Sequence, residues 1–188
     1  MSNLPRLPVL TDSELTGPAV QVVKDWNMNL HRTLAHSPDM LGRWLPWAVE
    51  VLQYNSLPER DREIVILRVA VRWNSDYEWG QHAGLAISIG MTEADLKAVA
   101  RGPRDPSWSE FEAALLTATD SVLHRRPIAE KEWALLAEHY SPKQLIDLLM
   151  TIGEFSLVAM MLTSLRIPLE DRPALRSLAP YLTDEATL

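Results

Sequence analysis

Residues 57–102 read LPERDREIVILRVAVRWNSDYEWGQHAGLAISIGMTEADLKAVARG, and their spacing decides the fold. From Ile64 to Val71 nearly every residue is apolar, so a helix over 58–73 must be central and buried on almost all sides. Pro58 stands near its start, where a missing N–H does no harm. A second helix over 75–89 follows at once. Ser75, Glu78, His82, Leu85 and Ile89 recur in it at helical spacing and form one stripe. The stripe begins polar and turns apolar, the pattern of a pocket opening at the helix N-terminus and running into the core. Gly80 and Gly84 leave room for another backbone to come close. Thr92-Glu93-Ala94-Asp95 has the form of a capping box and starts a third helix over 92–101.

Working outward, helices are expected near 18–35, 38–54, 108–125, 129–139 and 142–165, which makes eight. Ser37-Pro38 and Ser141-Pro142 are cap and first-turn pairs, and Ser107-Trp108-Ser109-Glu110 reads as another capping box. Pro46 is expected to kink or break its helix. Arg101-Gly102-Pro103-Arg104-Asp105-Pro106 separates two helical halves. Past Ile167, the prolines at 168, 173 and 180 favour an irregular tail, 167–188, that wraps a surface. No segment alternates in the two-residue period of a strand. The expected fold class is all-α, with one domain over 1–188.

The chain has 188 residues, 47% of them apolar, and a formal charge of −7. An acidic chain without Lys/Arg runs argues against nucleic acid as a partner. There is no cysteine, which excludes disulfides, zinc–thiolate sites and thiol redox chemistry. The first ten residues lack the apolar run of a secretory signal, so a cytoplasmic location is the default expectation. Leu145 to Leu165 is apolar enough to raise a membrane question. Asp147 and Glu154 interrupt it, so a helix covered by its own core and a neighbouring subunit is expected instead.

Glu63 sits in the most buried helix, where a carboxylate needs a partner or a proton. An arginine is one candidate partner. His82 is the other, and imidazole is the side-chain type best suited to proton transfer near neutral pH. Glu78 has two readings. It lies four residues before His82, and it also completes a box Ser75-Asp76-Tyr77-Glu78 in which it would cap the helix. Arg68, Arg72 and Arg32 are candidate cations for an anionic substrate. Ser75, Tyr77 and Trp79 join the first two as candidate substrate contacts, and Trp44 and Trp73 as candidate walls. A Glu63–Glu78–His82 metal site lacks a second ligand-rich motif to face it, so no metal and no cofactor are expected.

The run 57–63, then Leu67-Arg68-Val69-Ala70, Tyr77-Glu78-Trp79-Gly80-Gln81-His82-Ala83 and Gly90-Met91-Thr92 resembles the core of the carboxymuconolactone decarboxylase and alkylhydroperoxidase D family. Asn29 to Pro38 and the segment 145–155 resemble its flanking helices. Glu63 and His82 keep the family's nineteen-residue spacing, while Ser75 and Glu78 stand where the peroxidase branch has its two cysteines. The resemblance therefore implies the cysteine-free branch, without hydroperoxide reductase activity. It implies a lyase-type enzyme acting on a small organic acid or lactone, with His82, Glu63 and Glu78 as catalytic groups. It also implies assembly into trimers or hexamers. The competing expectation is a non-catalytic, ligand-binding or structural oligomer, in which Glu63 and His82 are satisfied locally with no cavity beside them. An enzyme of this type is expected to hold a cavity of about 300 Å³ beside His82.

Overall fold

The computed structural model describes residues 4–171 and 175–182. Pro173, the first three residues and the end of the expected tail lie outside the described residues. Among the described residues are nine α-helices and no strand. They are α1 (Ala19–Asp25), α2 (Asn29–Leu34), α3 (Pro38–Gln53), α4 (Glu59–Trp73) and α5 (Asp76–Ser88), then α6 (Glu93–Arg101), α7 (Glu110–Leu123), α8 (Glu130–His139) and α9 (Pro142–Leu165). Short 3₁₀ turns lie at Asp12–Glu14 and Ala179–Tyr181.

Helix α4 is the axis. All its residues from Glu63 to Val71 are buried, and α5, α6, α7 and α9 pack around it. Ile64, Ile66 and Leu67 are wholly buried, and each contributes roughly 1.5–3 kcal/mol. A charged side chain in such a helix must find its counter-charge inside the protein. Arg68 donates from Nε and Nη2 to the two carboxylate oxygens of Asp120 on α7, at 2.8 and 2.7 Å. Its Nη1 reaches the carbonyls of Val99 and Ala100. Gly102, at φ +93°, lies against this guanidinium, and a Cβ there would come within 2.7 Å of it.

α4 ends at Asn74, whose left-handed backbone (φ 50°, ψ 44°) reverses the chain. Ser75 is already the N-cap of α5. With two residues between the helices, α5 must fold back along α4, and residues nineteen apart come face to face.

Several expectations are corrected. The helix expected over 18–35 is two helices, broken at Trp26-Asn27-Met28, where the Trp26 carbonyl accepts a hydrogen bond from His31 Nδ1 at 2.8 Å. Pro46 does not break α3: Leu41 before it and Val51 after it are both buried, each in a separate apolar cluster. The box before α7 runs from Ser109 to Glu112, two residues later than expected. Ser37 caps α3 without a side-chain hydrogen bond. The box at Thr92 forms as read, and Ser141 caps α9 as read, completing in addition a box with Gln144.

Helix α9 is long and apolar enough to cross a membrane by length and composition, but half of its most apolar window is buried in the fold. Leu148, Ile152 and Ala159 face the core, while Ile146, Leu149, Met150, Leu157 and Met160 form an exposed side. The protein's own core therefore covers only one face.

The tail does more than cover a surface. Leu169 and the Arg176 carbonyl lie within 3.3 Å of where a Cβ on Gly80 would stand, so this glycine admits them. Asp76 accepts from the Leu178 N–H at 2.6 Å, Tyr181 lies against Trp79, and Leu178 is 1% exposed within the main core. Leu178→Ala should lower the unfolding free energy by about 2–5 kcal/mol, read from urea denaturation. A change below 1 kcal/mol would mean that the tail only rests on the surface.

Candidate active site

The reversal at Asn74 sets α5 against α4, and His82 Nδ1 donates to Glu63 Oε2 at 2.8 Å. Both side chains are buried, Glu63 at 1% exposure. Arg62 Nε lies 3.6 Å from the other oxygen of Glu63. Phe155 of α9 meets the imidazole edge-on, with ring centroids 5.0 Å apart. The carboxylate thus fixes the tautomer and the phenyl ring fixes the tilt. Among the described residues Nε2 of His82 has no hydrogen-bond partner, and the ring lines a cavity.

That cavity measures about 110 Å³, less than the 300 Å³ expected. A cavity of about 150 Å³ holds a benzene ring, so this one encloses a fragment of about six heavy atoms or fewer. Trp26, Trp44, Leu45 and Val158 wall it, and its polar lining is His31, Tyr77, Glu78, Gln81, His82 and Glu154. A second cavity of about 330 Å³ lies on the Glu63 side, lined by Glu59, Arg62, Leu85 and Ile89 among others. Glu63 belongs to its wall and His82 to that of the first, so their hydrogen bond stands between the two.

Glu78 is the anomaly. It is 2% exposed, and neither carboxyl oxygen finds a hydrogen-bond partner among the described residues. Ser75 does cap the Glu78 N–H, at 3.4 Å, but Glu78 does not reach back, so the capping reading of its side chain fails. Burial first, and then the neighbouring charge of Glu154, push its carboxyl well above the ordinary range.

Glu154 is treated differently by its surroundings. Trp44 Nε1 and Trp47 Nε1 each donate to one of its oxygens at 2.8 Å. Burial raises its pKa and these two hydrogen bonds oppose the rise. Both carboxyls on the cavity are pushed upward, Glu78 the more strongly, because only Glu154 has donors that support a charge. His31 is pushed down, chiefly by burial, which keeps it uncharged. Tyr77 is locked in the wall because its hydroxyl donates to Glu170 at 2.6 Å and accepts from the Leu30 N–H at 3.3 Å.

Of the residues singled out from sequence, His82, Glu78 and Tyr77 line the first cavity, and Glu63 stands behind His82 in the wall of the second. Ser75 is a buried cap behind it. Trp79 is in the core against Tyr181. Arg68 is engaged with Asp120, Arg72 with His124 and Asp120, and Arg32 with Asp12, Asn27 and the Leu10 carbonyl; none of the three lines either cavity. Trp44 is a wall residue, whereas Trp73 is partly exposed and away from both cavities. The stripe on α5 also runs opposite to expectation: its polar end is buried, while Leu85 and Ile89 are at the surface. Sequence reasoning missed Glu154, Trp47, His31, Gln81 and Arg62 as site residues. Only Glu154 carried a signal, as an acid inside an apolar helix. Among the described residues, no group of three or more His, Asp or Glu is placed to hold a metal ion.

The family model for the carboxymuconolactone decarboxylase family matches residues 38–120. Three solved structures are similar in fold. An uncharacterized peroxidase-related protein from Ralstonia eutropha JMP134, described as an alkylhydroperoxidase AhpD core, is 18% identical at a TM-score of 0.76, covering 89% of this chain and 93% of its own. A protein of unknown function from Agrobacterium tumefaciens, described as a putative antioxidant defence protein AhpD, is 18% identical at a TM-score of 0.68, covering 74% and 96%. An uncharacterized peroxidase-related protein from Silicibacter sp. TM1040 is 13% identical at a TM-score of 0.73, covering 89% and 94%. The fold is thus alkylhydroperoxidase D-like. No curated protein matches the chain.

Glu78→Gln removes a group whose folded-state pKa lies above the unfolded value of 4.5. Below pH 4.5 both states hold the proton and the two proteins should differ little through this group. Above it the unfolded carboxyl ionises while the folded one does not, so wild type loses stability relative to the variant, by up to about 1.4 kcal/mol per pH unit. Thermal melts of both proteins from pH 4 to 8 check this. A stability difference that stays constant across the range would mean that Glu78 is ionised in the fold.

Proposed function

We propose that this chain, matched by the carboxymuconolactone decarboxylase family over residues 38–120, is a cofactor-independent enzyme that moves protons on a small organic acid or lactone. The reaction is a decarboxylation or a related elimination or isomerisation. The observation that carries this reading is the His82–Glu63 hydrogen bond beside the cavity that also holds the unpartnered Glu78. His82 takes and returns the proton through Nε2. Glu63 orients the ring and stabilises the imidazolium as it forms. Glu78 donates to the oxygen on which negative charge builds. Such a reaction leaves an enolate and needs no electron acceptor. Hydroperoxide reduction by paired thiols is outside the chemistry of a sequence without cysteine.

The small cavity supports a substrate whose reacting end alone is enclosed. The resemblance implies trimers or hexamers, and the exposed side of α9 is the face such an assembly would cover; a monomer in sedimentation velocity overturns that part. A cytoplasmic location belongs to the same reading.

His82→Ala should slow deuterium incorporation at the carbon next to the carbonyl of a bound lactone by about 10²–10⁴-fold. Glu63→Gln should slow it too, with little change in binding. Exchange unaffected by His82→Ala, followed by proton NMR in deuterated buffer, would end the proposal.

A further inference from the structure

The first cavity offers an unusual set of hydrogen-bonding groups, and it allows the substrate class to be narrowed; this step rests on the reading above. With Nδ1 bonded to Glu63, His82 Nε2 is an acceptor without a partner among the described residues. The Glu78 carboxyl is 2% exposed and has no donor to support a charge. Glu154 is already met by two indole N–H groups, and His31 Nδ1 by the Trp26 carbonyl. Tyr77 is held by Glu170 and the Leu30 N–H, and Gln81 Nε2 by Glu170 at 2.6 Å. Among the described residues no Lys or Arg lines this cavity; Arg62 belongs to the second one.

An anion brought here would meet the Glu154 carboxyl, which two indole N–H groups already hold, with no cation beside it among the described residues to offset its desolvation. A cation would find the two Glu154 oxygens occupied and would require Glu78 to lose its proton in an apolar box. A neutral group with one acceptor oxygen and an adjacent acidic C–H meets neither obstacle.

We propose that the cavity takes an uncharged carbonyl compound, a small lactone or enone, whose oxygen accepts from the Glu78 carboxyl while its α-carbon faces His82 Nε2. The step balances within the site. The α C–H bond breaks and its proton forms an N–H bond on Nε2. Its electron pair becomes the new C=C bond as the carbonyl π pair moves to oxygen, where Glu78 holds it by a hydrogen bond. Returning the proton to the same carbon gives exchange. Returning it to the γ-carbon of an unsaturated substrate shifts the double bond. Nothing is oxidised or reduced. Among the reactions left open above, this favours isomerisation.

The test uses γ-butyrolactone, its ring-opened carboxylate 4-hydroxybutyrate and the cation pyrrolidinium. Binding is followed through the indole N–H resonances of Trp44 and Trp47 in ¹⁵N-labelled protein. The lactone should bind at least about tenfold more tightly than either charged probe. Glu78→Leu, which keeps the volume and removes a buried polar group, should weaken the lactone by about tenfold, the loss of one good hydrogen bond. Glu154→Gln should narrow the gap between lactone and carboxylate. Charged probes that bind as tightly as the lactone, lactone binding indifferent to Glu78→Leu, or no response to the lactone each overturn the proposal. Deuterium exchange at the α-carbon separates the two readings. A bound lactone without exchange leaves the ligand class standing and removes the catalytic reading. Exchange on a preferred carboxylate does the reverse.

Discussion

Nine consecutive buried residues on one helix leave its charged side chains with no water to face. That constraint on α4 organises the rest of the protein. Arg68 must be met by Asp120 and two carbonyls on one side, which draws α7 and the end of α6 inward. Glu63 must be met on the other side, which makes the register of α5 more than a matter of apolar fit. The two-residue reversal at Asn74 delivers His82 to it. A buried ion or hydrogen-bonded pair adds little net stability compared with apolar packing, but breaking one partner out of it is severe. The site is therefore a consequence of how the core is neutralised and not an addition to a finished scaffold.

Local chemistry made much of the fold readable. The caps at Thr92 and Ser141, the reach of α9 and the centrality of α4 follow from side chains within a few residues of one another. What sequence could not supply came from distance. The break between α1 and α2 depends on His31 bonding back to the Trp26 carbonyl, and nothing in the local propensities forbids a continuous helix there. Arg68 and Arg72 looked like substrate anchors until Asp120, about fifty residues on, engaged them. Glu63 and His82 were legible because the family spacing and the turn agree. Glu78 was ambiguous in sequence because Ser-x-x-Glu serves both a cap and a pocket; only the empty surroundings of its carboxyl separate the two.

The cavity's character comes from unequal treatment of like groups. Glu78 and Glu154 are both buried on the same cavity, yet one has two indole donors and the other none. A carboxyl deprived of donors becomes a donor itself, because neutrality is then its cheaper state in an apolar setting. The described walls add to this by holding neither Lys nor Arg, so that charge on a ligand has little to compensate it there. Specificity of this kind would act by exclusion, by making charged groups costly to admit and not by gripping an uncharged one tightly.

The docking of the tail has a consequence for the order of events during synthesis. Tyr77, Gln81 and the N-terminus of α2 all hang on Glu170, and α4 has its longest partner in α9. A growing chain can form α4 and α5 early, but it can neither cover the first with α9 nor fix the cavity wall until residues past 170 leave the ribosome. Until then it carries an apolar helix with half its coat missing and a polar site without its brace. The coat of α4 and the wall of the cavity are therefore completed together, and only after α9 and Glu170 have been made.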